Sequence, residues 1–196
     1  MNLSIIVTDS SPLITLAIAG ELDVLLLPKL KVLVPDMVRF EVIRYPDKPG
    51  SKQVAEWLRK NSATQHVLIE STEVFEDFLI LQKAKPDHKV KDSGESAAAE
   101  VLNNVLKNKN FGAILIFEDS AVKKPNYLRR LPDEVVIVST SEFLYGLESN
   151  NLIESADRIL DKAVGLRGDQ LRERHLNTML DEAGIVVEPW NKRMKS

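Results

Sequence analysis

Apolar, β-branched residues gather into five short runs along the chain: Ile5–Thr8, Lys31–Val34, His66–Ile69, Ala113–Phe117 and Val135–Val138. Runs of about four to eight such residues, without polar alternation, are the pattern of strands buried on both faces in a parallel sheet. Between them the apolar positions take helical spacing. Ser11–Pro12 predicts a helix start, with Ser11 as cap and Pro12 in the first turn, and Gly20 predicts its end. Val34–Pro35–Asp36 marks a strand end and a second helix running to about Tyr45, where Pro46 and Pro49–Gly50 break it. Further helices are predicted over about Ser51–Asn61 and Thr72–Ala84, then a loop over Lys85–Asp92. Asp92–Gly94 opens the most regular helix, with Ala98, Val101, Leu102, Val105 and Leu106 on one broad face. Three more helical stretches follow, about Ser141–Glu148, Ile153–Val164 and Asp169–Ala183, and Ile185–Ser196, with Trp190 and a basic end, reads as an extended tail.

Strand–helix alternation of this kind predicts βαβ units, hence an α/β fold with a parallel sheet of about five strands covered on both sides. A chain of 196 residues suits one domain. Hydrophobic residues at 44% and charged residues at 28% leave no room for a disordered or fibrous architecture. Lys plus Arg number 26 against 29 Asp plus Glu, a net charge of −3, which excludes a general DNA-coating protein and leaves any nucleic-acid contact to a local basic patch. There is no cysteine, so a disulfide scaffold, a zinc finger, an iron–sulfur site and a thiol nucleophile are excluded. The amino-terminal residues lack a basic leader region, and no apolar run reaches the ~18 residues of a membrane span. A soluble, cytoplasmic protein without a membrane partner is expected.

Ligands of open parallel sheets bind at the carboxyl ends of the strands, where strand order reverses. The first strand ends Val7–Thr8–Asp9 and the fourth ends Phe117–Glu118–Asp119, so two strands deliver acids to one edge. Asp9 reads equally as a helix cap, and Asp119 as a turn residue. Glu41 sits one turn after Met37 and Val38, either at the rim of the core or in a site. Glu95 follows Asp92 by three residues, a capping-box spacing, yet shares a face with Ala98, Ala99 and Leu102 that points at the sheet. Asp92 serves either as cap or as a further acid, and Glu100 reads as facing solvent. Four carboxylates converging on one cleft repel and raise one another's pKa unless a cation is present. Hard oxygen donors, with His66, His88 and His175 scattered, suit Mg²⁺ or Mn²⁺ over zinc, and such ions serve phosphodiester hydrolysis.

The ordered segments Thr8–Asp9–Ser10–Ser11–Pro12–Leu13, Val34–Pro35 with Glu41, Asp92–Ser93–Gly94–Glu95 and Ile116–Phe117–Glu118–Asp119–Ser120 resemble the PIN-domain nucleases, in particular the VapC-like toxins. The resemblance covers about residues 4 to 148. It implies a three-layer α/β/α sandwich and metal-dependent endoribonuclease activity, with the toxin role of a toxin–antitoxin pair. The four family acids fall on Asp9, Glu41, Glu95 and Asp119, with Asp9, Glu95 and Asp119 as metal ligands. The hydroxyl after the first acid falls on Ser10 and would hold a carboxylate or water. The fourth motif departs from the family's Asp-Asp by reading Glu118–Asp119. In these terms residues 1–148 form the PIN-like domain, residues 149–184 a helical extension of the same domain, and residues 185–196 the tail.

Ala121–Leu131 holds Lys123, Lys124, Arg129 and Arg130 without an acid, directly after Asp119, and reads as a phosphate-binding patch or as a solvated loop. Tyr127 within it is a candidate for stacking on a base. Single-stranded or loop RNA is the substrate expected at a narrow acidic cleft. Leu152, Ile153, Ile159, Leu160 and Val164 suit an antitoxin face, a homo-oligomer face, or packing on their own domain. Two rivals remain: a catalytically inactive PIN-like domain that binds RNA or protein, and a haloacid-dehalogenase-type phosphatase. The phosphatase needs Asp-x-Asp after the first strand, where this chain has Asp9–Ser10–Ser11.

Overall fold

The computed structural model describes residues 3–85, 92–107, 111–118, 127 and 130–167. Five strands, β1 (Leu3–Thr8), β2 (Lys31–Pro35), β3 (Val67–Glu70), β4 (Gly112–Phe117) and β5 (Val135–Ser139), form one sheet. Their order is β3-β2-β1-β4-β5 and every pairing is parallel. All five arise from the apolar runs. The described helices are α1 (Ser10–Ala19), α2 (Asp36–Ile43), α3 (Ser51–Ser62), α4 (Glu73–Ala84), α5 (Ser93–Leu106), α6 (Thr140–Ser149) and α7 (Ala156–Arg167), with a 3₁₀ turn at Leu22–Leu26. None is long and apolar enough to cross a membrane.

Successive strand residues face opposite ways, and the core divides accordingly. Ile6, Val32, Val34, Ile114 and Ile116 pack on one side with Leu13, Leu16, Trp57, Phe143 and Leu147 of α1, α3 and α6. Ala156, Ile159 and Ala163 of α7 join that same cluster, and Lys162 Nζ donates to Glu21 at 2.6 Å. Ile5, Val7, Leu33 and Leu115 pack on the other side under Ala98, Val101, Leu102 and Leu106 of α5. The result is a three-layer α/β/α sandwich. A smaller cluster of Met37, Phe78 and Ala97, with Phe40, Val74 and Phe75 against it, ties α2, α4 and α5 together.

Several local expectations are corrected. The first helix begins at Ser10, and its N-cap is Asp9 instead of Ser11, so Pro12 is the third helical residue, a first-turn position where a missing N–H costs no intrahelical bond. Gly20 ends that helix as expected, in the left-handed region at φ 74°. The capping box at Asp92–Glu95 does not form. Asp92 has φ 58° and its side chain accepts no capping bond, because a left-handed N-cap lacks the extended backbone that aims the side chain at the first turn. A capping box forms at α6 instead, between Ser139 and Glu142. The helix expected from Ile153 starts only at Ala156, where Ser155 Oγ accepts from the N–H of Arg158 at 3.2 Å. Glu100 does not simply face solvent: its carboxylate accepts from the N–H groups of Glu73 at 2.8 Å and Val74 at 3.2 Å, satisfying two orphan donors of α4. The stretch Asp169–Ala183, the tail Ile185–Ser196 and most of the Lys85–Asp92 loop lie outside the described residues.

The Glu100 contact yields a stability prediction. Glu100→Ala should lower unfolding free energy by about 1–2 kcal/mol, as loss of a helix cap does. Urea titration of wild type and variant checks it, and an unchanged midpoint would contradict it.

Candidate active site

Strand order reverses between β1 and β4, since β2 and β3 lie to one side of β1 and β4 and β5 to the other. Asp9 occupies that point. Its backbone N–H donates to the carbonyl of Ile116 at 3.3 Å, carrying the β1–β4 ladder one residue past the strand. Thr8, fully buried, donates its hydroxyl to the Asp9 carbonyl at 3.1 Å. With the sheet behind it and α1 beginning in front, Asp9 is only 7% exposed. Its side chain makes no capping hydrogen bond.

Glu41 arrives from α2 and the Ser93–Gly94–Glu95 segment from the first turn of α5. Ser93, itself buried, donates its hydroxyl to Glu41 Oε1 at 3.1 Å. Gly94 faces both acids. A Cβ on Gly94 would lie 2.9 Å from Glu41 Oε2 and 3.1 Å from Asp9 Oδ1. The two carboxylate oxygens are therefore no farther apart than the sum of those distances, with a bare glycine backbone between them. Gly is disfavoured in a helix, and here its missing side chain makes room for the acids.

Electrostatics reflect this crowding. Burial pushes the Asp9 carboxyl up from an ordinary 3.8 to about 7; the negative charges of Glu41 and Glu95 push the same way, against the backbone N–H groups of Ser10 and Ser11. Burial also raises Glu41, and the Glu95 charge adds to it, while hydrogen bonds from the Ser93 and Ser10 hydroxyls and the Gly94 backbone oppose the rise. Tyr127 is raised by burial and by the charges of Asp9 and Glu95, which places all three in one electrostatic neighbourhood.

The predicted site residues thus divide. Asp9, Glu41, Ser10 and Glu95 come together at the sheet edge. Tyr127 is anchored by its hydroxyl, which donates to the Glu95 carbonyl at 3.3 Å, and by its ring, 6.2 Å from that of Phe117. These contacts tie Tyr127 itself to α5 and to the end of β4. Arg130 is exposed, and its carbonyl accepts from Asn103 Nδ2 of α5 at 2.8 Å. Asp119, Lys123, Lys124, Arg129, His88 and His175 lie outside the described residues. Glu118 does not join the cluster by any described bond; its carboxylate accepts from Thr140 Oγ1 at 2.7 Å and links the end of β4 to α6. His66 lies by Thr64, 3.1 Å from its hydroxyl. Ser93 and Gly94 were missed as functional positions. A glycine in the first turn of an otherwise good helix, next to an acid, was the available signal of a close approach.

All donors gathered here are hard oxygens, and the buried Asp9 has no cationic side chain bonded to it among the described residues, so the chemistry of the set fits a hard divalent cation. Among the described residues no three His, Cys, Asp or Glu side chains form a group that could hold an ion, so any shell needs further donors or a rearrangement of these. Residues 5–84, from β1 through α4, match the family DUF3368, a PIN domain. No curated protein matches the chain, and no solved structure does.

The raised Asp9 carboxyl fixes a pH dependence. Asp9 binds its proton more tightly in the folded chain than in the unfolded one. Below its ordinary 3.8 both states are protonated and no penalty applies; between there and about 7 the unfolded chain ionises first and stability falls. Above about 7 the full penalty persists. In EDTA, Asp9→Asn should flatten the stability profile from about pH 4 to 7 and melt higher than wild type at pH 8. Parallel wild-type and variant profiles would contradict it.

Proposed function

We propose that this chain, a PIN-domain protein of the nuclease type, is a divalent-metal-dependent endoribonuclease. The observation that carries the reading is the convergence of Asp9 Oδ1 and Glu41 Oε2 over Gly94, at the strand-order reversal of a parallel sheet. Asp9, Glu95 and Asp119 are the residues that would hold Mg²⁺ or Mn²⁺. Such an ion, when bound, supplies charge neutralisation at the phosphodiester and a lowered pKa for the attacking water. Glu41, steadied by Ser93 and Ser10, is the group best placed to orient that water and take its proton. In hydrolysis the water oxygen bonds to phosphorus, the bond to the leaving oxygen breaks, and a proton returns to that oxygen. The buried flank of Asp9 limits water to the open side of the cleft.

Single-stranded or loop RNA is the proposed substrate, because a flexible strand can present a phosphodiester to a recessed acid cluster. Lys123, Lys124, Arg129 and Arg130 belong to the proposed substrate contacts. The order of motifs shared with VapC-like toxins supports a toxin role in the cytoplasm, with an antitoxin partner and a homo-oligomeric state.

Purified protein should cleave single-stranded RNA in Mn²⁺ or Mg²⁺ and stop when EDTA is added. Asp9→Asn and Glu95→Gln should fold and lose at least about a hundredfold of that activity, in line with loss of a ligand or its outer-shell support. Cleavage at the wild-type rate by both variants, or no cleavage by wild type in either metal, would favour the inactive binding module.

Gly94→Ala separates placement from charge. The new methyl would crowd the two carboxylates, whose flexible ends can yield, so melting should hold or rise while cleavage falls at least about tenfold. Wild-type cleavage by Gly94→Ala would contradict the convergence of the two acids over this residue.

A further inference from the structure

The acids leave unused a second group of side chains at the carboxyl-terminal end of α2. The guanidinium carbon of Arg44 lies 5.3 Å from the centre of the Phe40 ring and 5.1 Å from that of Tyr45. The ammonium of Lys48 lies 4.8 Å from the Tyr45 ring centre. The backbone holds this arrangement: the Arg44 N–H donates to Phe40 at 2.9 Å and the Lys48 N–H to Tyr45 at 3.0 Å. Phe40 is itself fixed against Phe75 and Phe78. Tyr45 is 48% exposed, the one aromatic among the described large apolar residues at the surface. Neither Arg44 nor Lys48 takes part in any ion pair among the described residues, not even with Asp47 between them.

We propose that Arg44, Tyr45 and Lys48 form a docking subsite for the backbone and a base of single-stranded RNA beside the carboxylate cleft, an assignment that rests on the ribonuclease reading. Arg44, the C-cap of α2, follows Glu41 by three residues, about one helical turn, and Tyr45 and Lys48 continue the chain just past the end of that helix. The guanidinium lies over two aromatic rings and pairs with no carboxylate among the described residues, so its N–H groups are left for phosphate oxygens. Ring contacts also restrict the side chain before binding, so less freedom is lost when phosphate arrives. Lys48 adds a point charge, and the exposed part of Tyr45 offers a surface for a base. A phosphodiester is repelled by a cluster of carboxylates. Cations outside any ion pair among the described residues, at and just past the end of α2, offset that repulsion where a chain of net charge −3 otherwise discourages a polyanion.

The test uses the full chain and a fluorescein-labelled single-stranded RNA, with anisotropy read in EDTA across a range of KCl and cleavage read in Mn²⁺. Arg44→Gln and Lys48→Gln should each weaken binding about three- to fivefold and lower the salt slope by about 0.7. Arg44→Lys should restore the slope without the affinity, since it keeps the charge and loses the fork. Tyr45→Leu should weaken binding with the slope unchanged. Melting curves verify folding, and the exposed Lys48→Gln keeps the test decisive should Arg44→Gln unfold. Wild-type affinity and slope in Lys48→Gln and folded Arg44→Gln, alongside normal wild-type cleavage, overturn the subsite and leave the ribonuclease reading standing. Wild-type RNA binding with weakened binding to poly-glutamate in the same variants overturns it in favour of an acidic protein partner. A wild-type chain that neither binds nor cleaves RNA overturns both readings.

Discussion

Charge held without a counterion at the end of a parallel sheet is the constraint around which this molecule is organised. The backbone of Asp9 is pinned to Ile116 on one side and begins α1 on the other, and the residue is left almost wholly buried. Desolvation alone disfavours ionised acids, and two further acids nearby compound it. The elements that bring those acids have little freedom in turn. α5 must begin with a residue that tolerates two carboxylates against its backbone, which Gly94 does, and with a hydroxyl that steadies one of them, which Ser93 does.

Other acids of the fold act as joints between helices. Asp36 accepts from the N–H of Met37 at 2.8 Å and from the hydroxyl of Thr72 at 2.7 Å, and its second oxygen accepts from the Thr72 N–H at 3.1 Å. Glu100 takes two backbone N–H groups from the start of α4. Both acids thereby become joints that fasten α4 to α2 and α5, and the Phe40–Phe75–Phe78 cluster completes the fastening. Glu41 sits five residues after Asp36 on the same helix, yet it and Asp9 carry raised carboxyls. Donors reach these two as well, from Ser10 and Ser11 at Asp9 and from Ser93, Ser10 and Gly94 at Glu41, so what raises them is burial and the like charges beside them.

The fold was legible because parallel strands write themselves as short apolar runs, although the edge strands β3 and β5 are only partly buried, contrary to the expectation of strands covered on both faces. Helix starts were less legible. Asp9, Ser10 and Ser11 are all competent near a helix N-terminus, and only the strand before them decides which residue caps. The Asp92–Glu95 spacing misled for a similar reason: a capping box requires an extended N-cap, and the left-handed Asp92 backbone is a product of the chain's path into α5, which spacing does not record. Glu100 was misread because its partners come from a helix 27 residues away along the chain. The gathering of Asp9, Glu41 and Glu95 was readable from strand ends and helix faces, whereas the service of Ser93 to Glu41 spans 52 residues and leaves no local trace.

The placement of Asp9 also bears on why such a site exists in the chain at all. An Asn at this position would keep the shape of the side chain and remove the charge, and with it the penalty that burial imposes above the raised pKa. Local rules of polar burial are therefore violated here in a molecule that obeys them at Asp36, Thr72 and Glu100. Violations of that kind concentrate where function requires a group that stability alone would reject. The violation is also graded. Glu41 receives a hydroxyl and stays on a helix rim, whereas Asp9, at the junction of the two central strands, receives no side-chain cap. The acid that burial pushes up to about 7 is also the one whose backbone is bonded directly to the sheet. A ligand or substrate that brings positive charge or hydrogen-bond donors to this edge gains most by addressing Asp9, because burial opposes its ionisation.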